Sequence, residues 1–235
     1  MSSDRKALSI GIYLRERNRS LIISYLSLRR LIGILGMLLP FICVFGGLVF
    51  SDLPIRSSIS SYYHTNMRDF FVGLLVGVSL FLMTYKGYER IDNMITAIIG
   101  LTGLGVAIFP CLKSSTSTEA VGIFQINPVI SNNIHLICAF TFFFLLAINS
   151  IFLFTLTKSE DIPKTKDKKI RNYIYIGCGI IILLSLAILL IRSLVGVEVE
   201  NDKTLLVFET IMLLAFGVSW LVKGKTLFKD RPEES

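Results

Sequence analysis

Apolar residues along this chain gather in long blocks that do not alternate with polar ones at helix or strand period. Six blocks, at residues 31–50, 70–85, 94–111, 134–157, 173–191 and 205–222, are predominantly apolar. A helix needs about 17 to 25 such residues to cross the hydrocarbon layer of a bilayer, so each block predicts a transmembrane helix. The second is short by that measure, and the helix is expected to continue upstream into residues 62–69. A membrane barrel would instead show ~10-residue segments of alternating polarity. The expected fold class is therefore all-α, a polytopic membrane bundle of six transmembrane helices. Residues 1–30 form a basic N-terminal segment, 31–222 the six-helix domain, and 223–235 a polar tail.

Composition agrees with the blocks: 53% of the 235 residues are hydrophobic and 17% charged, against about 25% charged in an average soluble domain. The first block starts some thirty residues in and has no small-x-small site before Ser51. It is also longer than the roughly 7–15 residues of a signal-peptide core, so it reads as helix one. The four cysteines, Cys43, Cys111, Cys138 and Cys178, lie in or beside apolar runs without a CxxC pair. They read as small buried hydrophobes, with a Cys111–Cys138 disulfide as the less favoured alternative.

Charge gives the bundle a direction. Six helices divide the 24 Lys and Arg residues 19 to 5: the N-terminal segment, the second and fourth loops and the tail hold 19, whereas the other side holds Arg56, Arg68, Lys113, Arg192 and Lys203. Positive residues near helix ends are retained in the cytoplasm, which puts both termini there and predicts a plasma (inner) membrane protein. The net charge of +7 then follows from this bias and from anionic headgroups, with no nucleic-acid partner required. Residues 8–28 are too polar to span. Leu21, Ile22, Tyr25, Leu26 and Leu28 suit one side of an interfacial helix, and a disordered basic leader is the competing reading.

With the direction set, the scarce ionisable residues sort to the outer side. His64, Arg68 and Asp69 precede helix two, His135 heads helix four, and Glu209 lies about 7 Å below the start of helix six. A carboxylate in a spanning helix costs free energy, so Glu209 is expected to face a protein interior. At helical period Asn149 shares the face of His135, Ser79 that of Arg68, and Trp220 that of Glu209. Helices two, four and six are thus expected to border one outward-facing polar cleft. Its ligand-binding residues would be Tyr62, Tyr63, Arg68, Asn149, Glu209 and Trp220, with Arg68 on a phosphate or carboxylate of a lipid headgroup or small amphiphile. Asp69 also suits the positive end of helix two, and Tyr62 and Tyr63 an interfacial aromatic belt.

A second reading is a membrane-embedded hydrolase in which His64, His135 and a carboxylate, Asp69 or Glu209, hold zinc and activate water. A third is a proton-coupled transporter or sensor with Glu209 as the titrating group. Ser58, Ser60 and Ser61 sit in no GxSxG context, and no phosphate-binding loop is present. Gly73 and Gly77, Ala215 and Ser219, and Gly100, Gly103 and Gly105 are small residues that permit close helix contact, within the chain or in a homo-oligomer. The glycines of helix three together with Pro110 would also suit a broken helix end.

The stretches SISSYYHTNMRDFFVGLLVG, GLTGLGVAIFPC, IHLICAFTFFFLLA and FETIMLLAFGVSWLVKGKTLFKD resemble a layout found in small bacterial six-helix membrane proteins. More distantly, the order of serine-containing first loop, helix three ending in Phe-Pro and His-headed helix four is similar to the damage-regulated autophagy modulator class. The resemblance implies a six-helix fold and a connection with membrane lipids. It carries over no catalytic residue.

Overall fold

The computed structural model of the protein describes residues 2–51, 54–87, 90–114, 118–156, 166–196 and 202–226, with side chains from Tyr25 onward. Six α-helices account for most of them, and no strand occurs among the described residues: α1 (Ser2–Ser51), α2 (Arg68–Thr84), α3 (Arg90–Ile108), α4 (Pro128–Ile148), α5 (Lys166–Val195) and α6 (Thr204–Lys223). Five of these helices, all but the 17-residue α2, are long and apolar enough to cross a membrane, as in an integral membrane protein.

Helix ends depart from the apolar blocks wherever local chemistry overrides hydropathy. Helix α4 starts six residues before its block because Asn127 accepts the Val129 N–H at 2.9 Å and Pro128 follows in the first turn. It runs on into a π turn at Asn149–Leu153. The upstream continuation of helix two reaches only Arg68; before it stands a 3₁₀ turn, Ser60–His64, ended by extended Thr65. The Thr65 hydroxyl donates to the Tyr62 carbonyl and accepts the Met67 N–H, which turns the chain into α2. At the N-terminus a single helix runs unbroken through residue 30, where the boundary between basic segment and bundle was expected. Its membrane-length part is Tyr25–Phe50. Of the tail, residues 227–235 lie outside the described residues, as do Lys158 and Lys164 of the fourth loop.

The helices close into a ring in chain order, each packed on its neighbours and α6 returning to α1. Leu39, Phe71, Leu82, Ile99, Phe142, Ile182 and Phe216 turn inward and are buried. The outward side of every helix is also apolar: Phe45, Phe70, Leu101, Ile137, Leu184 and Val207 are each more than half exposed. A soluble bundle would carry polar residues there, whereas a lipid-facing surface is apolar. Hydroxyls inside the helices bond their own backbone, as Thr96, Thr102, Thr141 and Thr210 do to the carbonyls four residues earlier.

Small residues set the closest approaches. A Cβ on Gly103 would stand 2.4 Å from the Ser79 hydroxyl, and one on Gly217 would stand 2.8 Å from the Gly33 carbonyl oxygen. These glycines seat α3 on α2 and α6 on α1. Gly100 and Gly105 have equally close neighbours, as expected of packing residues, while Ala215 and Ser219 are buried. Gly73 and Gly77 differ: among the described residues nothing lies within 4 Å of a Cβ on either, so this GxxxG joins no two of the described helices. All four cysteines are free, and Cys111 and Cys138 are not joined.

Candidate functional site at the loop-one end

The segment between α1 and α2, residues 54–67, folds over one end of the ring. Three features of the sequence shape it. Gly46 and Gly47 leave room on α1 for Met67 and the Tyr62 ring, so the segment lies close against that helix. Tyr62 is buried, and its hydroxyl accepts the Arg56 N–H at 3.4 Å. The Ser58 hydroxyl accepts the Ser61 N–H and meets the Ser61 hydroxyl at 2.5 Å, which tightens the turn.

Polar ties fasten the segment to its surroundings. The Leu206 N–H donates to the Ser57 carbonyl and the Lys203 ammonium to the Ile55 carbonyl, both from the start of α6. The His64 Nε2–H donates to the Cys111 carbonyl at 2.8 Å, tying the segment to the α3–α4 loop. The deepest tie is to Glu209, whose carboxylate accepts the Ile59 N–H at 2.5 Å and has the N–H and hydroxyl of Ser60 beside it.

Above the segment is a basin of about 600 Å³, walled by Pro54–Ser57, Ser61, His64, Lys113, Ser114, Asp202 and Lys203. All three loops at this end contribute. Among the described residues of its wall, Arg56, Lys113 and Lys203 face one carboxylate, Asp202, which is itself paired: Arg192 donates to it at 2.6 Å, and Thr204 caps its other oxygen through hydroxyl and N–H. The Thr204 donors, then Arg192, hold the Asp202 carboxyl below the usual carboxylate range. Burial pushes the His64 imidazole below the ordinary histidine range, against the Cys111 carbonyl, and Lys113, Arg68 and Arg56 push it the same way as burial. The Arg56 Nε is buried and meets no acceptor. Among the described residues that line it, the basin thus carries three cations to one carboxylate.

Below the segment is a chamber of about 30 Å³ in the ring interior, room for about two water molecules. Helices α2, α4 and α6 all border it, through Phe71 and Leu75, Phe142 and Phe143, and Leu213. The expected cleft between these helices is thus an apolar chamber, polar only at its roof, where Ser60 and Glu209 meet.

The expected ligand residues divide between two ends. Tyr62, Tyr63, Arg68 and Glu209 are at the loop-one end. Arg68 does not enter the basin wall: it lies exposed over the Tyr63 ring at 4.4 Å and donates to its hydroxyl at 2.7 Å. Asn149 and Trp220 are at the opposite end, because equal angular position on a helix says nothing about depth, and Trp220 stands about 16 Å along α6 from Glu209. Trp220 is buried among Tyr85, Phe154 and Phe216. The four expected zinc ligands do not form a metal-holding set, and no group of three or more His, Cys, Asp or Glu does so among the described residues. His135 donates from Nδ1 to the Phe109 carbonyl at 2.8 Å, Asp69 is exposed in the first turn of α2, and Glu209 faces the chamber.

Sequence reasoning passed over Arg56, Lys113 and Lys203, although the signal was in the charge count. They are three of only five cations on the sparsely charged side; of the others, Arg192 is paired with Asp202 and Arg68 is stacked on Tyr63. No family model, curated protein or solved structure matches the chain.

Proposed function

We propose that this integral membrane protein recognises an anionic group, the head of a membrane lipid or of a small amphiphile, in the basin at its loop-one end. The observation that carries the reading is the charge of the basin's described lining: Arg56, Lys113 and Lys203 face one carboxylate that is already paired, in a volume of about 600 Å³, within the usual range for small-ligand sites. A guanidinium offers phosphate or carboxylate a planar pair of donors, and two ammonium groups add charge without fixed geometry. With six spans and both termini cytoplasmic, as the 19 to 5 division of Lys and Arg favours, the basin opens on the outer surface of a bacterial inner membrane. That six-span arrangement and the resemblance to bacterial six-helix proteins belong to the same proposal.

The test is binding by the purified protein in nanodiscs. Phosphatidic acid or phosphatidylglycerol should be retained over phosphatidylcholine, and Arg56→Ala combined with Lys113→Ala should weaken that preference tenfold or more while the protein stays folded. An unchanged preference in the double variant would refute the reading.

A further inference from the structure

The loop-one segment lines both the basin and the chamber. Pro54–Ser57, Ser61 and His64 face the basin, while the intervening Ile59 and Ser60 roof the chamber. A cationic compartment thus lies directly over an apolar one. That is the arrangement an amphiphile presents in reverse, with an anionic head joined to a hydrocarbon chain.

Two features of the partition bear on how it opens. Its deepest tie, Ile59 N–H to Glu209, uses the one ionisable side chain that lines the chamber. A serine hydroxyl or an amide would hold the same N–H at lower desolvation cost. A carboxylate makes the bond strong while water is excluded and weak once polar groups reach it. One rim tie also competes directly with a ligand: Lys203 lines the basin and donates to the Ile55 carbonyl. An anion that draws Lys203 inward removes that tie.

Resting on the proposed recognition of an anionic group, we infer that basin and chamber are the two halves of one site for a single-chain anionic amphiphile. The head binds above loop one, the hydrocarbon chain enters between Phe71, Phe142, Phe143 and Leu213, and the Ile59–Glu209 bond is the latch. At about 30 Å³ the latched chamber is too small for the chain, so the apolar half fills only as the roof lifts.

The experiment uses the full chain in nanodiscs and a lysophosphatidic acid with a diazirine midway along its acyl chain, the labelled residues being mapped by mass spectrometry. Labelling is expected at Phe142, Phe143 or Leu213, raised severalfold by Glu209→Ala, raised less by Glu209→Gln, and suppressed by Ala139→Phe or Val106→Phe, which fill the chamber. Inorganic phosphate should compete with it. Label confined to the lipid-facing Phe140 and Phe144 in protein that still binds phosphate through Arg56 would overturn this inference and leave the basin reading standing. Loss of phosphate binding altogether would remove both. Folding of each variant is checked by its thermal unfolding midpoint, and Glu209→Gln keeps an acceptor for the Ile59 N–H should the alanine variant not fold.

Discussion

Arginine and lysine occur at both ends of this bundle and are used in opposite ways. At the end formed by the start of the α1 span and the close of α6, Arg29 is buried, stacks on Tyr25 at 4.3 Å, and donates to the Tyr85 hydroxyl and the Lys223 carbonyl. Lys223 donates to the Phe154 carbonyl and lies 4.8 Å from the centre of its ring. Tyr85 and Phe154 in turn pack edge-on against Trp220. At the loop-one end Arg56, Lys113 and Lys203 instead border a basin. Cations at the first end are held between helices by carbonyls and aromatic faces, whereas three at the second line a cavity, although Lys203 also holds the Ile55 carbonyl and Arg68 lies on the Tyr63 ring. Charge alone therefore does not mark a site; what the charged groups already hold does.

Four measurements would break or sharpen that contrast. The largest effect is expected from Trp220→Ala, which empties the aromatic cluster at the closed end and should cost about 3–5 kcal/mol in denaturant unfolding. It should leave anion affinity of the folded fraction unchanged. Next come the two arginines compared directly. Arg29→Ala removes charged hydrogen bonds from buried acceptors and should cost about 1.5–3 kcal/mol, while Arg56→Ala should change stability by no more than about 0.5 kcal/mol and lower anion affinity. Equal costs would erase the distinction between the ends.

Glu209→Ala leaves the Ile59 N–H without its acceptor and should cost about 1–3 kcal/mol, less the gain from no longer burying a carboxylate. Faster hydrogen exchange at Ile59 and Ser60, with none at Leu82 or Trp220, would confine the effect to the loop-one end. The smallest effect concerns pH. Burial holds His64 below the ordinary histidine value of 6.5, so the unfolded chain takes up the proton first. Stability then rises with pH between the folded value and about 6.5 and is lost as pH falls through that window. The thermal midpoint should drop between pH 7 and pH 5.5, and His64→Gln, which can still donate to the Cys111 carbonyl, should flatten the slope. An identical slope in the variant would remove His64 from the account.

Much of the fold was legible because the bilayer constrains it: an apolar block long enough to span can do little but form a helix. The limits of that rule are equally physical. Hydropathy does not register capping, so the start of α4 at Asn127–Pro128 fell outside its block, and it does not register the hydroxyl turn at Thr65, so α2 was expected to begin too early. Gly103 and Gly73 look alike as small residues in apolar helices. A Cβ on Gly103 would meet Ser79, whereas one on Gly73 would meet none of the described residues, a difference set by how each helix is rotated in the ring.

For the site, the sequence alone led to the expectation that His64, Arg68, Asp69, His135 and Glu209 gather at one end of the bundle, and it marked Glu209 as a carboxylate in need of a partner. Both follow from the cost of placing charge in hydrocarbon, which applies before any tertiary contact forms. Only the folded chain decided that the partner is a backbone N–H 150 residues away in sequence. It alone brought Arg56, Lys113 and Lys203 from three loops to one basin, and it carried Trp220 and Asn149 to the far end. Helical period fixes angle around a helix axis but not which neighbour fills the space beside it, and that is settled by side chains from every segment of the ring packing together.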